Sequence, residues 1–405
     1  MTELLIQAIE SVQNSHCAFC HYITPNDAGK TGSHQSGFYL PKDAQGIILG
    51  DKAKIGCNAD IFIKIKWQDG YITNSRIVYY GVGTRNESRI TRFGRGFEWL
   101  RDEHVGDLLV LAQQDIENYE AWVLSTEEDI DGFLSYYNLS PEDANKIIQK
   151  VDGQLPDSEL QLPDSELDNM LSYFVEHIKS FPETTVMAQT ARDCYNQAFK
   201  LNDNKIAAKP DEVLLKWVNT EYTLFRMVEH KLYMPIIGNT FKDVSSFVDF
   251  ANKVLNRRKS RAGKSLEHHL ASVFEASNII YEEQVVTEEK KRPDFIFPDG
   301  QCYHNSNFPE ALLVSLAAKT TCKDRWRQVI NEANRIPEKH LFTLQPTISK
   351  NQLKEMADEK VHLVVPGTYI KNYPQEYRSS IIDLRQFIGF VREKESESRL
   401  KHLIV

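Results

Sequence analysis

Asp294, Lys319 and Glu332 are the residues of this chain whose types and surroundings could carry out chemistry. Asp294 stands at the head of the apolar run Phe295-Ile296-Phe297, and Lys319 closes the run from Leu312 to Ala318. Two buried strands would bring both side chains to one sheet edge. Residues 323–336 then carry Trp326, Val329, Ile330 and Ala333 at helical spacing, which predicts a helix with Arg325, Gln328 and Glu332 along an adjoining face. Glu332 could reach the same edge. Paired carboxylates are hard oxygen donors for Mg²⁺, and a lysine beside them can orient a water and offset phosphate charge. Such a set would hydrolyse a phosphodiester. By residue type alone, the same three side chains also suit a solvated surface.

The elements that must hold them follow from hydrophobic pattern. Residues 284–287, 294–297, 312–320, 340–344 and 361–365 read as strands, and 323–336, 350–358 and 379–391 as helices. Strands alternating with helices make an α/β domain. Residues 211–254 read as supporting helix, with Leu214, Trp217, Val218, Leu224, Phe225 and Val228 inward. The first half differs: residues 59–67 and 71–80 alternate or run apolar between Gly and Asn/Asp turns, which predicts a small β-rich domain. Between the halves, Gln154-Leu155-Pro156-Asp157-Ser158-Glu159-Leu160 is repeated at once as Gln161-Leu162-Pro163-Asp164-Ser165-Glu166-Leu167. A Pro-bearing acidic tandem repeat reads as an extended linker. The expected division is therefore domain 1–153, linker 154–170 and domain 171–405.

Composition narrows the function classes. With 26% charged and 41% hydrophobic residues and no long apolar run, the chain should not span a membrane. The N-terminal residues lack a basic region followed by a sustained apolar stretch, so a cytoplasmic location is expected. Six cysteines then read as reduced thiols. Cys17-Ala18-Phe19-Cys20-His21 has the spacing of a c-type haem attachment or half a zinc site. Haem attachment needs export, and no second pair completes a zinc tetrahedron, so neither group is expected. The net charge of −9 opposes a nucleic-acid partner until its distribution is examined. Arg85, Arg89, Arg92, Arg95 and Arg101 form one basic cluster, and Arg257, Arg258, Lys259, Arg261 and Lys264 a second. Both are expected to face phosphates.

The wider text around the three chemical residues includes Asn256-Arg257-Arg258-Lys259-Ser260-Arg261-Ala262-Gly263-Lys264-Ser265-Leu266-Glu267, Lys291-Arg292-Pro293-Asp294-Phe295 and Lys319-Thr320-Thr321-Cys322-Lys323-Asp324-Arg325-Trp326-Arg327-Gln328. With His340-Leu341-Phe342-Thr343-Leu344-Gln345 and Leu363-Val364-Val365-Pro366, it closely resembles the EcoRII family of type II restriction endonucleases. The resemblance implies a PD-(D/E)XK restriction-endonuclease-like α/β core whose second acid has migrated. Here Ala317 stands two before Lys319, and the carboxylate reappears as Glu332. The resemblance also implies Glu267 as a further acid and Tyr303 as an active-site tyrosine; a helix-surface acid and a packing ring are the plainer readings. It makes Lys323, Asp324 and Arg325 base-reading residues at the CC and GG ends of a CCWGG site (W is A or T). A single active site faces only one strand of a near-palindromic site, so a homodimer is expected to clamp double-stranded DNA, each subunit cutting one strand with Mg²⁺.

The first half resembles the same family's DNA-binding pseudobarrel through Asn26-Asp27-Ala28-Gly29-Lys30-Thr31-Gly32-Ser33-His34-Gln35 and Thr84-Arg85-Asn86-Glu87-Ser88-Arg89-Ile90-Thr91-Arg92-Phe93-Gly94-Arg95-Gly96. By that resemblance His34, Tyr39, Arg85, Glu87 and Arg89 read bases, and the domain is an effector that binds a second site and relieves blockage of the cleft. Gly83 and Ser88 depart from the family's best-known member, which carries lysines there. Two rivals remain on the sequence: a DNA-binding regulator without catalysis, and a repair or structure-specific nuclease of the same core.

Overall fold

The chain begins with α1 (Glu3–Asn14), β1 (Cys17–Tyr22), β2 (Phe38–Leu40), α2 (Lys42–Leu49), β3 (Ala59–Trp67), β4 (Ile72–Tyr80), β5 (Glu87–Thr91), β6 (Leu108–Gln113), β7 (Asn118–Leu124) and α3 (Glu127–Tyr136). The computed structural model describes residues 1–29, 36–83, 86–148 and 165–404. His34, Arg85 and most of the tandem repeat lie outside the described residues. Two units form: one holds Met1–Pro156 with Gln345–Glu355 and Lys371–Arg378, the other Asp157–Leu344, Met356–Ile370 and Ser379–Val405. The segments 345–355 and 371–378, read from sequence as part of the second domain, thus group with the first unit.

In the first unit the strands run β1-β6-β7-β3-β4-β5-β2 and curl into a near-barrel. Neighbours are antiparallel except β3 and β7. Alternation decides which faces are dry: along β3, Ile63, Ile65 and Trp67 are buried while Phe62, Lys64 and Lys66 are exposed. β1 and β6 are apolar on both sides because two cores use them. Phe19, Leu109 and Leu111 join Phe38, Trp67 and Ile90 inside the curl. Ala18, Tyr22 and Val110 meet Leu5, Val12 and Phe133 of the covering helices. Cys17 and Cys20 are buried in β1.

The second unit continues with α4 (Ser165–His177), α5 (Thr184–Ala198), α6 (Asp203–Ala208), α7 (Pro210–Ile237), α8 (Val244–Ala276), β8 (Glu282–Glu283), β9 (Phe295–Phe297), α9 (Gly300–His304), β10 (Val314–Lys319), α10 (Trp326–Ile330) and β11 (Lys339–Thr343). β12 (Val361–Val364) and α12 (Leu384–Leu400) follow in this unit, while most of α11 (Lys350–Asp358) belongs to the segment that groups with the first unit. α4 starts inside the stretch expected to be linker. The sheet order is β12-β11-β10-β9-β8, with β10, β11 and β12 parallel and β9 and β8 antiparallel. β9 and β11 are buried along their whole length, as expected of central strands covered on both faces. Phe274 of α8 packs edge-on against Phe295 and Phe297 of β9, each with centroids 5.2 Å away. Leu266 and Leu270 join the same core, so α8 is fixed against the sheet. Asp243 caps α8 through the Ser246 amide, at 2.7 Å.

Two sequence expectations are corrected here. The helix expected over 323–336 is only α10: the chain leaves the helix after Ile330, before Glu332, and Ala333 then adopts φ 48°. Lys323–Arg325 and Glu332 therefore do not share one rigid helix. The strand expected over 284–287 is also absent: β8 lies just before it, and Gln284 has φ 55°.

Candidate active site and nucleic-acid contacts

The strand ends bring the first two chemical residues together. β9 pairs with β10 only over Val314–Leu316, so the Ala318 amide projects past the end of β9. Asp294, the residue before β9, fills that place: its Oδ2 accepts from the Ala318 N–H at 2.8 Å and from Lys319 Nζ at 3.0 Å. Asp294 is 7% exposed, so the salt bridge stands at a partly dry edge where charges interact more strongly than in water.

Two more carboxylates share this edge. Glu267 projects from α8, one residue from the buried Leu266, and its Oε2 accepts from Gln284 Nε2 at 3.4 Å. The same amide donates to Asp294 Oδ1 at 3.2 Å, so Gln284 bridges the two acids. Burial and the nearby Asp294 charge push the Glu267 carboxyl up to about 7, with Lys319 opposing. Glu332 behaves alike: burial pushes it up to about 7, Lys319 pulls against that, and Asp294 adds to it. Asp294 and Lys319 thus act electrostatically on both Glu267 and Glu332. Gln284 was missed in the sequence, where it looked like the first residue of a strand; its backbone is left-handed, at φ 55°.

Tyr303 is placed differently. Its hydroxyl lies 2.8 and 2.7 Å from the two Glu288 carboxylate oxygens, and its ring is buried among Val285, Ile296 and Phe308. It is not hydrogen-bonded to Asp294, Lys319 or Glu267. Lys323 is buried, which pushes its ammonium down to about 8, while Asp324 and Arg325 are exposed just before α10.

The second basic cluster does not face solvent as a group, which corrects the expectation that it meets phosphates. Arg261 is 2% exposed and stacks 3.7 Å from the Tyr222 ring centre. Arg257 lies 4.2 Å over the Phe181 ring and bonds the Tyr233 hydroxyl. Arg258 makes a two-pronged pair with Glu229 at 2.8 Å on each arm. Lys259 and Lys264 remain exposed.

In the first unit Arg89 also turns inward. It is 3% exposed, donates to the Gly37 carbonyl at 2.9 Å and sits 3.5 Å from Asp27. Asp27 in turn binds the Tyr39 amide at 3.0 Å and His21 at 2.8 Å. Arg89 therefore ties down the base of β2 in this structure, and Tyr39 and Glu87 stand around it, half-buried. Arg92 and Arg95 are exposed, whereas Arg101 pairs with Glu98 and Glu103. The two departures have local causes: Ser88 is buried with its hydroxyl on Gln45, at 2.9 Å, and Gly83 has φ 75°.

Asp294, Glu267 and Glu332 supply only oxygen, the donor set of a hard divalent cation. As a set they stand wider than the 4.8 Å mutual spacing that, among the described residues, only Glu98, Glu103 and His104 meet. That last group is laced by Arg101, which pairs with both of its glutamates.

Comparison with known proteins decides the family. Residues 12–143 match the family described as restriction endonuclease EcoRII, N-terminal, and residues 225–388 match EcoRII C terminal. The type II restriction enzyme EcoRII of Escherichia coli is 32% identical over 398 residues, covering 94% of this chain and 95% of that protein. The chain belongs to the EcoRII family. As an EcoRII-family protein it is a type II restriction endonuclease, a site-specific deoxyribonuclease of restriction–modification, with a restriction-endonuclease-like α/β domain behind a β-rich pseudobarrel. A shorter match is the type II restriction enzyme SsoII of Shigella sonnei, 28% identical over 38% of this chain and 52% of that protein. Among solved structures, metal-depleted Ecl18kI in complex with uncleaved, modified DNA aligns with TM-score 0.45 and 18% identity, over 58% of this chain and 85% of that one. The restriction endonuclease PspGI–substrate DNA complex aligns with TM-score 0.44 and 14% identity, over 54% and 94%. No helix among the described residues is long and apolar enough to cross a membrane.

Proposed function

We propose that this EcoRII-family enzyme is a cytoplasmic homodimer that cleaves double-stranded DNA at CCWGG in an Mg²⁺-dependent reaction, giving 5′-phosphate and 3′-hydroxyl ends. The observation that carries the reading is the Asp294 carboxylate held between the Ala318 amide and Lys319, with Glu267 and Glu332 in its field. Asp294, Glu332 and Glu267 would hold the ion, which when bound supplies charge stabilisation to the transferring phosphoryl group. Lys319, already 3.0 Å from Asp294, orients the attacking water and offsets phosphate charge. Gln284 keeps Glu267 and Asp294 aligned. Asp324 and Arg325, exposed ahead of α10, offer a base-reading edge together with Lys323. A bidentate arginine–guanine contact gives about 1–3 kcal/mol of discrimination.

The domain division 1–153, 154–170 and 171–405 assigns the effector role to the first part, with His34, Tyr39, Arg85, Glu87 and Arg89 assigned to recognition of the second DNA copy. Tyr39 and Glu87 supply reading groups; Arg89, pinned to Asp27 and Gly37, holds them in place.

Plasmid DNA incubated with the protein and Mg²⁺, followed by sequencing of the ends, tests the reading. Discrete fragments ending at CCWGG are expected. Discrete fragments at another sequence would refute the site, and cutting at DNA structures, or none, would refute the mechanism.

A further inference from the structure

Glu332 leaves α10 behind and stands in an irregular turn, yet this turn is fastened from several sides. Ala333, left-handed at φ 48°, and Ile336 are buried in a small apolar cluster with Val285, Ile296, Tyr303 and Phe308. The turn's backbone is tied by side chains from three other places in the fold. Lys339 Nζ donates to the Ala333 and Ile336 carbonyls. Glu288 accepts from the Asn334 amide at 3.1 Å. The Tyr303 hydroxyl bonds Glu288 and lies 3.4 Å from the Arg335 amide. From within the turn, the Arg335 guanidinium reaches out to the Cys302, Tyr303 and Phe308 carbonyls.

Lys339 is the unusual member. It is 4% exposed, and a buried ammonium is costly unless fully engaged. Its backbone is fixed as the first residue of β11, in register with Val361 of β12, and its amide donates to Lys360 O at 3.0 Å. The charge is thus anchored to the sheet and directed at the two carbonyls that flank the turn after Glu332. Burial pushes the ammonium down to about 8, in keeping with so dry a setting, while Glu288 and Glu332 pull it back up.

We propose that Lys339, with Glu288 and Tyr303, forms a positioning clamp that fixes the displaced acid: the sheet sets Asp294 and Lys319 directly, whereas Glu332 is set by side chains gripping the turn behind it. This rests on the reading of Glu332 as a metal-holding group. It gives Tyr303 a part in the site without contact to the reacting atoms, since its hydroxyl acts through Glu288 on the turn.

Lys339→Met keeps the reach of the side chain and removes its charge and donors. Hydrogen exchange of the metal-free protein is expected to quicken at least tenfold at the Asn334 and Arg335 amides, with Ala318 unchanged. Cleavage at saturating DNA is expected to fall about 10–100-fold, and the half-saturating Mg²⁺ concentration to rise by a similar factor, as for groups that orient metal ligands. DNA affinity in EDTA stays the same, and Lys339→Arg restores part of the loss. Wild-type exchange at Asn334 and Arg335, or wild-type Mg²⁺ dependence, overturns the proposal. Should Lys339→Met not fold, Tyr303→Phe, which removes only the hydroxyl, carries the same expectations at smaller size and the same refutation. Glu332→Ala separates the two readings. If it cleaves normally, the assignment of Glu332 fails; if it is dead while the clamp variants behave as wild type, only the clamp fails.

Discussion

Replacing Glu332 with Gln should stabilise the metal-free protein at alkaline pH while abolishing cleavage. In the folded protein burial, reinforced by Asp294, raises this carboxyl from 4.5 to about 7. Between those values the folded state keeps a proton that the unfolded chain releases. Stability therefore falls as pH rises through that window, and the penalty is complete above it. At about 1.36 kcal/mol per tenfold, full desolvation would cost roughly 3 kcal/mol. Glu332 is partly exposed, and solvent screening reduces this to about 1–2 kcal/mol. The neutral amide escapes the penalty, so the melting transition of the second unit should rise by about 3–6 °C at pH 8. Differential scanning calorimetry in EDTA at pH 8 and pH 5 makes the measurement, and most of the gain should vanish at pH 5. A Gln variant no more stable than wild type at pH 8, or equally stabilised at both pH values, would refute the argument that Glu332 is held against its own charge. Such a cost is what a ligand site bears when its acids are kept together for an absent cation.

Two further outcomes follow from the placement of the charges. Arg258→Ala should lower thermal stability by on the order of 1–3 kcal/mol by removing the two-pronged pair with Glu229, and leave the salt dependence of DNA affinity unchanged; the double variant Lys259→Ala, Lys264→Ala should instead flatten the slope of log affinity against log salt by about one per lost phosphate contact. Deleting residues 1–164 should give an enzyme that cuts a plasmid carrying one site as readily as one carrying several, and a truncated protein that still needs several sites removes the effector role.

The strands that position Asp294 and Lys319 were legible because buried central strands read as mostly apolar runs: Phe295–Phe297 is unbroken, and Leu312–Ala318 is interrupted only at Ser315. The helix over 323–336 was overextended for a related reason. Trp326, Val329 and Ala333 are all buried, so the apolar spacing continues, but Ala333 is buried by the cluster around Tyr303 after the backbone has turned left-handed. Periodicity reports burial, and here burial outlasts the helix. The arginines of α8 misled for a different reason. A sequence does not show that Phe181, Tyr222 and Phe225, from elsewhere in the fold, offer ring faces to Arg257 and Arg261. Gln284 was invisible because its role depends on a backbone angle that few non-glycine residues adopt.

The parallel pairing of β10 with β11 has a last consequence. Parallel neighbours must be joined by a long return path, and Glu332 resides in that path instead of on a strand. Natural variation can lengthen, shorten or reshape this connection without breaking a single ladder bond. An acid seated there is free to wander along the chain over evolutionary time, provided whatever grips the connection moves with it, while an acid seated on β10 would stay locked to its strand. Families built on this sheet can thus exchange the address of one ligand and retain the same reaction.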